Sequence, residues 1–163
     1  MKNILLDDVE YKIEETNLGK WRRFGYPNGQ IFEDFVSHSK IGNLPLLHYT
    51  RGKCPETGKL AVAKGIIAIG RLAIGVLAIG HASAGVVALG QLAFGLVFGL
   101  GQASTGLIAI GQLAIAIIFG LGQIATGYVV IAQFGLGIYV LAQFGVGQFV
   151  WDTHATSEIG LPT

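Results

Sequence analysis

The sequence predicts an all-β protein. A small N-terminal head containing a β-hairpin is followed by a four-sided hydrophobic β-solenoid of about four coils, each of 20–21 residues. Three observations carry this expectation. A small residue, mostly glycine, recurs at every fifth position through "GIIAIGRLAIGVLAIGHASAGVVALGQLAFG" (65–95), a period that is neither the helical 3.6 nor the strand period of 2. A longer repeat is superposed, because "GHASAGVVALGQLAFGLVFGL" (80–100) aligns with "GQASTGLIAIGQLAIAIIFGL" (101–121). Charge is also segregated: residues 1–64 hold 18 of the 21 formally charged side chains, and residues 65–151 hold only Arg71. The boundaries that follow are a polar head over 1–58, the repeat over 59–151 and a polar tail over 152–163.

In the head, the apolar run Ile4–Leu6 is too short for a secretory leader, so the head is expected to stay on the cytoplasmic side. "GYPNGQ" carries a Pro-Asn-Gly turn signal, and "IFEDFV" follows it, which together predict a hairpin from Lys20 to Ser37. "KWRRF" mixes an indole with cations. It reads either as a solvated strand or as a membrane-surface anchor built on Trp21, Arg22 and Arg23. His38, His48, His81 and His154 lack metal-ligand spacing, and the paired acids, among them Glu33–Asp34, read as solvated surface. Cys54 stands alone, so it supplies neither a disulfide framework nor a zinc site. No nucleophile elbow, phosphate loop or metalloprotease motif occurs. We therefore expect no catalytic residue, no metal site and no cofactor. A net charge of +1 without a basic run gives no nucleic-acid footprint.

A bundle of membrane helices is the competing reading of the repeat, but it fits poorly. No polar loops separate the candidate helices, and five residues rotate a helix by about 500°, so successive glycines would not share a face. The 18 glycines between 65 and 151 also weaken a helix, by about 1 kcal/mol each where it meets water.

Within a five-residue step, numbered from its glycine, +2 and +4 are usually bulky and +3 is mostly alanine. Strand alternation puts +2 and +4 on one side, so the bulky pair is expected to fill the core, with +1 and alanine outside. Position +1 alternates polar and apolar. Four sides then give two opposite polar columns, Arg71, Gln91, Gln112, Gln133 and His81, Gln102, Gln123, Gln143. These glutamines could pin register as amide ladders, meet neighbouring subunits, or face inward. The remaining +1 residues, Ile66, Val76, Val86, Leu96, Leu107, Ile117, Tyr128 and Ile138, make two apolar sides suited to lipid. Such a surface exceeds what a soluble monomer ordinarily exposes. Four coils would stand about 20 Å tall against a hydrocarbon core of about 30 Å, with Trp151 suited to an interface.

The join "LPLLHYTRGKCPETGKLAVAKGIIAIG" (44–70) resembles a recurrent, largely uncharacterised bacterial family of hydrophobic β-helices. That family pairs a G-L-P-L-x-H, G-x-x-P-x-T-G and A-R-G-x-I-A-I-G lead-in with Ala-Ile-Gly repeats. The matching residues are Leu44, Pro45, Leu46, His48, Gly52, Pro55, Thr57, Gly58, Ala63, Gly65 and Ala68–Gly70, whereas Asn43 and Lys64 depart from the pattern. The resemblance implies a hydrophobic β-helix and transfers no activity. The five-residue step is also similar to that of pentapeptide-repeat proteins, although their polar exterior is missing. The expected function is a non-enzymatic membrane β-solenoid whose partners are the lipid bilayer and itself, or paralogous chains, in a ring or pore-like assembly. The alternative is a soluble or envelope-associated scaffold or fibre joined through the apolar faces.

Overall fold

The computed structural model describes residues 9–152, and among them the secondary structure is all β, with no helix. The polar tail expected over 152–163, His154 included, lies outside the described residues except for Asp152. Eight strands follow in order: β1 (Lys12–Glu15), β2 (Gly19–Gly25), β3 (Ile31–Ser37), β4 (Lys40–Ile41), β5 (Leu44–Pro45), β6 (Leu47–Arg51), β7 (Val62–Val146) and β8 (Phe149–Asp152). The main sheet runs β1-β2-β3-β6-β7-β8, and β4 with β5 forms a separate small ribbon. The expected hairpin forms from β2 and β3, with Gly19 opposite Ser37 and Gly25 opposite Ile31. Its turn works because Gly29 takes a φ of 81° and donates its N–H to the Tyr26 carbonyl at 3.0 Å.

Chain contacts divide the molecule into two units, Met1–Val86 and Val87–Thr163. In the first, β1, β2, β3 and β6 pair antiparallel, and β6 then pairs parallel with the start of β7, Leu47 opposite Ile67 and Tyr49 opposite Ile69. Beyond that point the backbone lies against itself. A methyl group on Gly75 would run into the carbonyl oxygen of Gly65, and one on Gly80 into that of Gly70. The second unit continues the rule within itself: Gly101 lies against Gly90, Gly111 against Gly101, Gly122 against Gly111, Gly137 against Gly127 and Gly147 against Gly137. Strand β8 closes the series in parallel, with Tyr139 opposite Phe149. The stacking partner is thus ten or eleven residues away. This corrects the 20–21-residue, four-sided expectation. Each step meets the step two before it, and two steps make one layer.

The inside and outside are also reversed relative to the sequence expectation. Ala63, Ala68, Ala73 and Ala78 form one buried cluster in the first unit. Ala109, Ala114, Ala125, Val130, Val140 and Ala142 form another in the second. The alanine at +3 is therefore the core residue, while Leu92, Phe94, Leu113 and Ile115 at +2 and +4 are exposed. Width explains the reversal. With five residues per side, the ends of each step are spent on reversing the chain, so one position per side points inward. Inward groups on facing sides meet head-on, and only methyl-sized ones fit at native packing density. In the six-residue steps, Gly99 and Gly120 are buried where alanine otherwise sits. Near the C-terminal end the filling changes. Val130 and Val140 point inward, and a methyl on Gly135 would reach 2.7 Å from Val140 Cγ1 and 3.1 Å from Val130 Cγ1. There one isopropyl group facing a hydrogen replaces two facing methyls.

Candidate functional site

Two arrangements stand out, one in each unit. In the head, Asp34 on β3 is 3% exposed, which corrects the expectation that it lies on a solvated surface. Arg22, directly opposite on β2, donates from Nε and Nη2 to one Asp34 oxygen at 2.9 and 2.5 Å. His48 on β6 donates from Nε2 to the other oxygen at 2.9 Å. The ring's tautomer follows from its far side, where the Lys64 backbone N–H reaches Nδ1 at 2.8 Å and requires a lone pair there. Burial alone would push the Asp34 carboxyl up, but the hydrogen bonds from His48 and Arg22 outweigh it and hold the carboxyl below the ordinary range. A line of polar contacts thus runs from β2 through β3 and β6 to the residue that leads into the glycine repeat. Both ring nitrogens of His48 are committed, so its environment is that of a positioned structural imidazole and not of a general base.

The same packing engages the three expected anchors of the head. Trp21 lies 4.8 Å from Phe35 and 6.0 Å from Tyr49 between ring centroids, with the Arg23 guanidinium 4.4 Å above its own ring. Arg23 also pairs with Glu14 at 2.8 Å, and Arg22 is held by Asp34. These side chains pack within the head's own sheet, where Trp21 and Arg23 are half-buried and Arg22 stays exposed. Trp151 differs, being 56% exposed on β8 beside Tyr139.

In the second unit, Gln91, Gln102, Gln112 and Gln123 line a single shallow groove of about 440 Å³ together with Leu92, Ala103, Leu113 and Ile124. The sequence expectation places alternate members on opposite sides. Two steps per layer bring every second +1 position onto the same edge, so the two columns merge into one. Gln133 and Gln143 follow the same rule, since the residues after them, Phe134 and Phe144, stack at 5.2 Å. Among the described residues no side-chain hydrogen bond joins one of these glutamines to the next, and all are exposed at the surface. In the first unit, Arg71 and His81 are exposed one layer apart, each following a glycine of the stacked pair Gly70 and Gly80.

The apolar +1 residues sit elsewhere. Ile66, Val76 and Val86 follow the stacked Gly65, Gly75 and Gly85 in the first unit. In the second, Leu96 and Ile117 are 72% and 70% exposed, Tyr128 is exposed, and Leu107 and Ile138 are half-buried. Sequence reasoning missed the larger apolar surface, the outward +2 and +4 residues such as Phe94, Ile115, Ile124, Phe134 and Phe144. The signal was present in the regular alanine at +3. An open surface has no need of a small residue at one fixed place, whereas a narrow interior does.

No group of three or more metal-ligating side chains occurs among the described residues, and no helix there is long and apolar enough to cross a membrane. Compared with family models, characterised proteins and solved structures, the chain matches none.

Proposed function

We propose that this chain is a non-enzymatic, two-sided β-solenoid that lies in a lipid bilayer and associates with further copies of itself. The observation that carries the reading is the outward surface of the second unit. From Val87 to Trp151 there is no Asp, Glu, Lys or Arg, and bulky aliphatic and aromatic side chains at +1, +2 and +4 point away from an alanine core. Water would solvate such a surface poorly, and lipid tails or other apolar chains would cover it. Backbone pairing between layers is what a spanning structure requires, and β7 pairs in parallel with β6 at its start and with β8 at its end. Height also fits better than in the four-coil expectation. The glutamine levels from Gln91 to Gln143 are six, hence five intervals, and at ~4.8 Å each they cover about 24 Å of a hydrocarbon core about 30 Å thick. The polar head remains in water on the cytoplasmic side, and Trp151 sits at a membrane–water boundary. Carbonate washing of membranes tests the reading. The protein should stay with the membrane until detergent is added, and its release by carbonate alone would overturn the proposal.

A scaffold or fibre assembled in water is favoured by one feature. Among the described residues β8 pairs on one side only, with β7, which leaves a strand edge that another chain could extend. Carbonate release together with filaments in negative stain would select this second reading.

A further inference from the structure

We infer that the glutamine edge of the second unit is a pairing surface for a second copy of this chain in the same orientation, so that the assembly is built on a two-fold dimer in which each glutamine level meets its own counterpart. The inference rests on the membrane reading above and deepens it by naming the contact and its symmetry.

Three observations lead to it. First, Gln91, Gln102, Gln112 and Gln123 share one groove, which gives the second unit one continuous polar edge, while the other +1 column carries Leu96, Leu107, Ile117, Tyr128 and Ile138 before ending at Gln148. Two opposite polar edges would offer two neighbours and suggest a ring. One edge offers one neighbour and closes as an isologous pair. Second, the primary amides are exposed, and among the described residues none bonds to the next. In hydrocarbon each amide must find both a donor and an acceptor, because lipid supplies neither. Third, the fitting partner must present donors and acceptors at the spacing of these layers. The column itself does so, since each amide carries a carbonyl oxygen and an NH₂ group. The flanking Leu92, Leu113 and Ile124 are aliphatic, so the rim of the contact is apolar and suits close packing of two like edges.

Orientation follows from insertion. Copies of one chain enter a membrane in one direction, so a two-fold axis relating them runs along the membrane normal and parallel to the column. Gln102 then faces Gln102 of the other copy, and the same holds for Gln112 and Gln123.

The test uses the full chain in native membranes with its one cysteine removed (Cys54→Ser). Single substitutions Gln102→Cys, Gln112→Cys and Gln123→Cys are oxidised and run without reductant. Ile117→Cys, on an apolar position 70% exposed, is the comparison. The expected result is a band at twice the monomer mass for all three glutamine positions and only monomer for Ile117→Cys. The double variant Gln112→Leu/Gln123→Leu, with Gln102→Cys retained, should lose most of that dimer band while keeping its β-type circular dichroism. Monomer alone at all three glutamine positions, in protein that still resists carbonate, would refute the pairing and leave the membrane reading intact. Cross-linking only between Gln91→Cys and Gln123→Cys would refute the shared orientation. Release by carbonate would remove the membrane reading, and this inference with it.

Discussion

The interior of the second unit invites a direct test at Gly135 and Val140. Val140 is fully buried, and its Cγ1 lies 2.7 Å from where a methyl on Gly135 would sit and 2.9 Å from one on Gly145. Its Cγ2 lies 2.9 Å from a methyl built on Gly147, and valine's stiff χ1 leaves no easy rotation out of the way. Gly135→Ala therefore overpacks the site, at a cost of about 2 kcal/mol within the usual 1–3. Val140→Ala removes two buried methyl-sized groups, about 1.6 kcal/mol of transfer energy plus a cavity contribution, or about 2 kcal/mol in all. Independent effects would sum to about 4 kcal/mol. In the double variant, however, the new methyl occupies space the isopropyl group has vacated, which restores the alanine-facing-alanine filling of the earlier layers. A total near 2 kcal/mol follows, with a coupling of about 2 kcal/mol between the sites. Thermal unfolding of detergent-solubilised protein, followed by far-UV circular dichroism, should show each single variant about 6 °C below the parent and the double variant no lower, at about 3 °C per kcal/mol for a chain this long. Additive losses, with the double variant about 12 °C down, would mean that the two residues do not share one cavity, and would refute an interior only two small side chains wide.

Gly111→Ala should be among the most damaging single changes, costing about 3 kcal/mol or more, because its methyl meets the Gly101 carbonyl oxygen and backbone cannot swing aside. Gly25→Ala, with open space around the new methyl, should change stability by no more than about 0.5 kcal/mol, read by thermal unfolding. Ala114→Leu should destabilise by about 2 kcal/mol, since Ala114 is fully buried, whereas Ile115→Ala, on a residue 51% exposed, should leave the fold intact and weaken retention by membranes. In the head, Asp34→Asn should cost about 1–3 kcal/mol by weakening charge-assisted bonds to Arg22 and His48, read as loss of near-UV signal from Trp21 on mild denaturation. The acid response has a fixed sign. Because folding lowers the Asp34 pKa, its stabilisation is complete above the ordinary carboxylate value and is lost as pH falls through the lower folded value. Asp34→Asn should therefore flatten the head's acid-unfolding curve in that window, and an unchanged curve would count against the buried pair.

Some of this was legible in the sequence for physical reasons. Pro27-Asn28-Gly29 encodes its turn locally, and β2 and β3 flank it in register. The burial of Asp34 was not legible, because a carboxylate beside Glu33 looks solvated until a third strand brings His48 over it. The Gln91–Gln123 surface was half legible. The alternation of polar and apolar +1 residues is in the sequence, but which of them share an edge depends on how many steps close a layer.

By itself the sequence determined a chain of period five, all β because glycine every fifth residue disfavours a helix, with charge confined almost wholly to the head and tail. Only the tertiary structure decided that two steps close a layer, that alanine lies inside, and that leucine, isoleucine and phenylalanine lie outside. The reason is that alternation along a strand separates two sets of side chains without saying which set is interior. That choice depends on the distance between facing backbones. Here the chain reverses every five residues and brings the facing sides so close that only the smallest side chains can meet between them.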